Sequence, residues 1–178
     1  MPAASATTNC SVTAITTKNR EAGRAKPALL SVFDLSLSEK MRITFEPFID
    51  KEARQFIVSG VDNHNIAATS LPEYFPVNFV LRGERGDILG GILGQLWGNW
   101  LQITYLWVAE VARGAGHGTR LLQGAEAYAR SRGAVGATVE THSFQAKPFY
   151  ERLGYVVFGT LDGYPPGHLK FFLRKALT

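Results

Sequence analysis

The residues best suited to chemistry stand together in Arg113-Gly114-Ala115-Gly116-His117-Gly118-Thr119. Glycine lets a backbone turn tightly and approach a ligand with no Cβ in the way. An apolar strand-like run precedes the glycines and an amphipathic helical run follows them. A helix begins with unpaired N–H groups and the positive end of its dipole. Together these features make a cradle for a phosphate or pyrophosphate, and Arg113 adds a fixed positive charge matched to phosphate oxygens. A glycine loop that merely tightens a turn is the bland alternative.

Other glycine-rich phosphate motifs fit less well. A Walker loop requires Gly-Lys, a pair that occurs nowhere in the chain. The dinucleotide fingerprint would place its last glycine at 119, where Thr119 stands. Glu140 does lie near the distance of that fingerprint's acidic residue. The antiparallel meander read ahead of the loop argues against that fold.

The loop needs a strand, a helix and a sheet to hold it. Residues 42–45 alternate and predict a short strand stopped by Pro47. Asp50 can cap a helix with Ala53, Phe56, Ile57 and Val61 at helical spacing. Strands are predicted over 77–82 and 87–95 around the turn Gly83-Glu84-Arg85-Gly86, then over 100–108 after a turn at Gly98-Asn99. A helix over 119–132 puts Leu121, Leu122, Ala125, Tyr128 and Ala129 on one face and stops at Gly133. A strand follows over 137–141. Residues 146–153 predict a short helix with Ala146, Phe149, Tyr150 and Leu153 on one face. Closing strands cover 155–160 and 169–174, around a proline-stiffened turn at 162–167. The order predicts a mixed α/β domain, antiparallel first and with a crossover later.

The bulk composition narrows the function classes. The chain has 178 residues, 46% of them hydrophobic and 19% charged, which suits one globular domain. Residues 1–40 are rich in Ala, Ser and Thr and predict a disordered, dispensable extension before a domain over 41–178. The net charge of +4 suits a phosphorylated small ligand. The basic residues are scattered, so nucleic acid is not the expected partner. No apolar run is long enough for a membrane span. The single cysteine, Cys10, builds no disulfide framework and suits a reducing cytoplasm. His64, His117, His142 and His168 are far apart with no helical HxxxH pair, so no metal is expected.

The stretch LWVAEVARGAGHGT, which opens at Leu106, resembles the acetyl-CoA motif of the GNAT superfamily of N-acetyltransferases. Arg113, Gly116 and Gly118 meet its Arg/Gln-x-x-Gly-x-Gly/Ala pattern. The stretch SFQAKPFYERLGY resembles a later motif of the family through Ala146, Tyr150, Leu153, Gly154 and Tyr155. The resemblance runs from about Met41 to the C-terminus. It implies a GNAT-like fold, a central, mostly antiparallel twisted sheet flanked by helices. It also implies acetyl-CoA as co-substrate, bound by Leu106, Trp107, Val108, Arg113, Gly114, Ala115, Gly116, His117, Gly118, Thr119, Ser143, Ala146 and Phe149. Ser143 stands where the family often has a cofactor-contacting asparagine. The strand WLQITYLWV lacks the glutamate that many members use as general base.

The implied reaction is direct transfer of acetyl to the amine of a small molecule or peptide. An alkyl amine of pKa ~10 must lose a proton before it attacks. The carbonyl oxygen gains charge that backbone N–H groups at Val108 can meet. Tyr150 is the motif's candidate to protonate the leaving thiolate, with plain aromatic packing as the alternative role. His142 and Glu140 are candidate bases beside solvent, and Glu110 reads as a loop surface residue. Thr119 can cap its helix or touch phosphate. Trp97, Trp100, Trp107, Phe75, Phe79 and Tyr105 read as core, some of them turned outward to line an acceptor pocket. A non-catalytic acyl-CoA-binding regulatory domain is the competing reading, and a homodimer is compatible with a domain of this size.

Overall fold

The computed structural model describes residues 42–71 and 74–177. The expectation for residues 1–40 lies outside the described residues. Those up to His64 belong to one unit and those from Asn65 on to another.

In the first unit, Asp50 Oδ1 accepts the N–H of Ala53 at 2.8 Å, the expected cap of α1 (Lys51–Thr69), a helix that runs on into the second unit. A cap of this kind satisfies one of the orphan donors at a helix start. Residues 42–45 are not a strand. No described segment pairs with them, and Ile43 and Phe45 remain 50% and 70% exposed, so their alternation has no face to bury.

The second unit holds β1 (Phe75–Arg82), β2 (Ile88–Trp97), β3 (Trp100–Val108), α2 (His117–Ser131), β4 (Gly136–His142), α3 (Lys147–Arg152), β5 (Val156–Asp162) and β6 (Leu169–Ala176). They form one six-stranded sheet in the order β1-β2-β3-β4-β6-β5. Every neighbouring pair is antiparallel except β3 with β4, which α2 joins by a crossover. This is the mixed, mostly antiparallel sheet that the sequence predicts. Turn chemistry sets its hairpins: Gly98 and Asn99 both adopt positive φ between β2 and β3.

The core lies between the sheet and α2. Leu121, Leu122, Ala125 and Ala129 of α2 pack with Val77, Ile92, Leu101, Ile103, Val139 and Leu173 from five strands. Inside it, Glu126 is 2% exposed. Its carboxylate accepts Tyr155 Oη at 3.0 Å and Lys175 Nζ at 2.7 Å. A buried carboxylate needs such partners, and this network ties α2 to β6 and to the start of β5.

Gly133, at φ +84, ends α2 in the left-handed conformation that glycine adopts freely. Gly136 is glycine for lack of space: a Cβ there would stand 2.5 Å from the Trp100 ring.

Candidate active site

The site begins where two paired strands part. β3 and β4 run parallel from Trp100↔Gly136 to Ile103↔Val139, and no pairing continues beyond that point. From residue 104 onward, the backbone groups of β3 on that side have no strand partner. The cleft so opened has residues 104–108 on one arm and Glu140, Thr141 and His142 on the other.

A bulge falls at the mouth of the cleft. Leu93 pairs with Tyr105 and Gly94 with Ile103, which leaves Thr104 as the extra residue. The extra residue reverses the alternation of β3. Leu101 and Ile103 face the core before it, Leu106 and Val108 after it. Tyr105 and Trp107 therefore turn to the opposite face and are 45% and 57% exposed. Of the aromatic group read as core, these two, Trp100 and Phe75 are exposed.

The Val108 arm leads into the glycine loop. A 3-10 turn, Glu110–Ala112, carries the chain to Arg113. Arg113 donates from Nε to the carbonyl of Val108 at 2.9 Å, bracing the strand end while its terminal nitrogens stay available. Gly114 and Gly116 have φ +79 and +76, and nothing lies within 4 Å of where their Cβ atoms would be. They are glycine for conformation, and the space beside them is open. Gly116 occupies the cap position of α2, so the helix starts at His117, two residues before the predicted start, and Thr119 is not its cap. The first helical bond comes from Arg120 N–H to the Gly116 carbonyl at 3.0 Å. The N–H groups of His117, Gly118 and Thr119 thus have no partner within the helix.

Arg120 is a residue the sequence reading missed. Its Nη2 donates to the Ala115 carbonyl at 3.0 Å and to His117 Nδ1 at 3.1 Å, which fixes the loop and leaves the His117 proton on Nε2. A cation in the first turn of a helix opposes the dipole, and that mismatch was the available signal.

These residues fit a pyrophosphate: three free N–H groups, two cations and an open, glycine-lined surface. Gly118 also touches the next element. Its missing Cβ leaves 3.6 Å to the Phe149 ring and 3.9 Å to Val108. Loop, strand end and α3 therefore meet at the three predicted residues Val108, Gly118 and Phe149.

α3 carries Tyr150, whose ring is 6% exposed and packs edge-on against Phe149 and Tyr155. Burial pushes its hydroxyl up to about 12. Every solvent-sealed side-chain polar atom among the described residues has a hydrogen-bond partner, and Tyr150 Oη has none. Its hydroxyl therefore keeps an opening to the outside although its ring is in the core. Tyr155 differs. Burial and the Glu126 carboxylate that holds its proton raise its pKa far more.

Ser143 and Ala146 stand at the end of the β4 arm. Ser143 Oγ accepts the N–H of Leu169 and pairs with His168 Nδ1, both at 3.2 Å, so this side chain fastens the β5–β6 turn. Ala146 is exposed at the cap of α3, its N–H donated to Thr141 Oγ1 at 3.3 Å. Among the described residues no cluster of His, Cys, Asp and Glu is placed to hold a metal ion, and no helix is long and apolar enough to cross a membrane.

Known proteins share this fold. Residues 36–155 match the profile described as "Acetyltransferase (GNAT) family". The blasticidin-S acetyltransferase of Streptomyces morookaense is 47% identical over 96 residues, 53% of this chain and 71% of that protein. An acetyltransferase of Agrobacterium fabrum is 30% identical over 135 residues, 76% of this chain and 98% of that one. The crystal structure of an acetyltransferase from Agrobacterium tumefaciens superposes with a TM-score of 0.72 at 30% identity, over 76% of this chain and 99% of that one. A parted β3–β4 pair, a glycine loop opening α2 and these relatives agree: the chain belongs to the GNAT family of acetyltransferases.

Proposed function

We propose that this chain moves an acetyl group directly from acetyl-CoA to the amine of a small molecule, with 113–119 holding the pyrophosphate and Tyr150 assisting the leaving sulfur. The reading rests chiefly on the strand cleft that ends in the open glycine loop. GNAT acetyltransferases use acetyl-CoA, and the loop offers what its pyrophosphate requires. The edge of β3 that faces β4 beyond Ile103, which no strand pairs, suits the pantetheine arm, whose amides need partners of their own. It also offers N–H groups to the carbonyl oxygen as charge develops there.

Tyr150 enters by geometry and by acidity. Its hydroxyl is unpartnered and reaches the outside from a helix whose preceding residue, Phe149, touches the loop. At about 12 it holds its proton more tightly than a thiol of pKa ~8.5 does. Outright proton transfer to the thiolate runs uphill. Tyr150 serves best as a hydrogen-bond donor to sulfur while the C–S bond lengthens.

The acceptor side is the sheet face carrying Tyr105, Trp107, Glu140 and His142. A name in the family supports a small-molecule amine: the Streptomyces relative acts on blasticidin S. The experiment is release of free thiol from acetyl-CoA across a panel of amines that includes blasticidin S, with the product identified by mass. Thiol and an N-acetylated amine in equal amounts are expected. Tight acetyl-CoA binding with no thiol released by any amine would instead establish the regulatory binding domain.

A further inference from the structure

The arm of the cleft facing Leu106 ends in a histidine whose tautomer the local geometry fixes. Beyond the last pair, Ile103↔Val139, the third residue on β3 is Leu106 and the third on β4 is His142. Alternation sends Val139 and Thr141 into the core, where they are 4% and 3% exposed. Glu140 and His142 therefore project to the other face, the one that carries Tyr105 and Trp107.

Gln145 sets the tautomer. The backbone N–H of His142 donates to Gln145 Oε1 at 2.8 Å, and a backbone N–H can only donate. The atom there must be the amide oxygen. His142 Nδ1 lies 3.1 Å from the same oxygen, so Nδ1 carries the proton. In the neutral imidazole the remaining nitrogen, Nε2, then holds the lone pair. It makes no hydrogen bond, and no sealed polar atom among the described residues lacks one, so it is open to the outside. The rings of Phe144 and Tyr164, at 5.2 and 5.8 Å, hold the imidazole plane.

We propose that His142 is the general base that takes the proton from the acceptor amine, with Gln145 as its positioning residue. The proposal rests on the acetyltransferase reading above. It supplies the role that the β3 strand, without a glutamate, leaves unfilled. Base and hydrogen-bond donor then work from opposite faces of the cleft: His142 on the open sheet face where an acceptor arrives, Tyr150 from the core side near the thioester sulfur.

The step balances. His142 Nε2 takes one proton from the incoming ammonium, and the freed lone pair forms the C–N bond as the C–S bond breaks. The surplus proton on the acyl nitrogen ends on sulfur, beside Tyr150 Oη. The imidazolium then gives its proton to solvent. Ammonium and thioester become amide, thiol and one released proton.

The charged and titratable groups around His142 are Glu140 on its own strand, Lys170 across the β4–β6 ladder, and Tyr164 and His168 on the turn. Glu140 is ion-paired with Lys170 and so is not a free base. Lys170 also sits 5.1 Å over the Tyr164 ring.

The test is kcat/KM against pH for the parent and His142→Gln, with an alkyl amine and with a weakly basic amine already neutral at pH 7. With the alkyl amine at neutral pH, His142→Gln should lose on the order of a hundredfold or more. The loss should shrink as pH rises and be small for the weakly basic amine, while acetyl-CoA affinity stays at the parental value. A loss equal for both amines at every pH, or no loss, overturns the proposal. If His142→Gln melts well below the parent, Gln145→Met replaces it. That variant keeps the imidazole and should show the same pattern at about tenfold, and a pH-independent loss there also overturns the proposal. A parent that acetylates no amine at all sinks the acetyltransferase reading itself, an outcome read without any variant.

Discussion

The two arms of the β3–β4 cleft are built in different ways. The β3 arm ends in a site made of backbone: free N–H groups of 117–119, two glycines at positive φ, and arginines 113 and 120 bracing carbonyls of the loop. The β4 arm ends in a site made of side chains: His142, Gln145, Phe144 and Tyr164. Phosphate is the same in every acetyl-CoA, and a helix start with glycines suffices to hold it. An acceptor varies, and side chains are what evolution can vary without unmaking the fold. Under the proposed function, the cofactor half of the chemistry would sit on the main chain and the acceptor half on rings.

The sharpest way to break the backbone half is Gly116→Val. At φ +76 a β-branched residue is strained whatever the space beside it. Acetyl-CoA affinity by calorimetry should fall on the order of a hundredfold, and the strain should cost about 1–2 kcal/mol of stability without unfolding the domain. Parental affinity would show that the loop is not the pyrophosphate site.

Tyr150→Phe breaks the link between the two halves. It keeps the ring against Phe149 and Tyr155 and removes a hydroxyl that has no partner to lose. Turnover should drop about a hundredfold, as for other single hydrogen-bond donors to a developing charge. Stability at neutral pH should hardly move. Alkaline stability should change with it. Tyr150 ionises near 12 when folded and near ~10 when unfolded. From pH ~10 upward the unfolded chain sheds a proton that the folded chain keeps, so stability falls as pH rises through that window. The phenylalanine variant lacks this share of the slope, which denaturant titrations at pH 9 and 11 would reveal.

The smallest effect belongs to the neighbouring tyrosine. Tyr155→Phe removes a donor to the buried Glu126 carboxylate. Chemical denaturation should show a loss of about 2 kcal/mol, in the range for hydrogen bonds to charged groups, with turnover near the parent. Opposite results for the two variants would exchange the roles of Tyr150 and Tyr155.

The sequence carried the backbone half well. Glycines at alternate positions after an arginine mark a loop by type alone, and the strand and helix around it follow from local periodicity. The helix start shifted to His117 because Gly116, not Thr119, takes the cap. The segment 42–45 failed as a strand because alternation says nothing about whether a neighbour pairs with it. The side-chain half was less legible. His142 and Glu140 stood as equal base candidates, and only the β4–β6 register, which places Lys170 beside them, pairs off Glu140. Gln145 gave no signal at all, since its role depends on a turn folding back on His142. The Tyr155–Glu126–Lys175 network joins residues 29 and 49 apart in sequence, beyond any local pattern.

The most direct test of acetyl transfer at this cleft is a single-turnover mixture of the protein, acetyl-CoA and a reactive amine, quenched over time. Amide, free thiol and intact-protein mass are read from the same samples. Amide and thiol should rise together in a one-to-one ratio, with the protein mass unchanged throughout. Thiol that appears ahead of the amide, together with a protein heavier by one acetyl group, would contradict direct transfer.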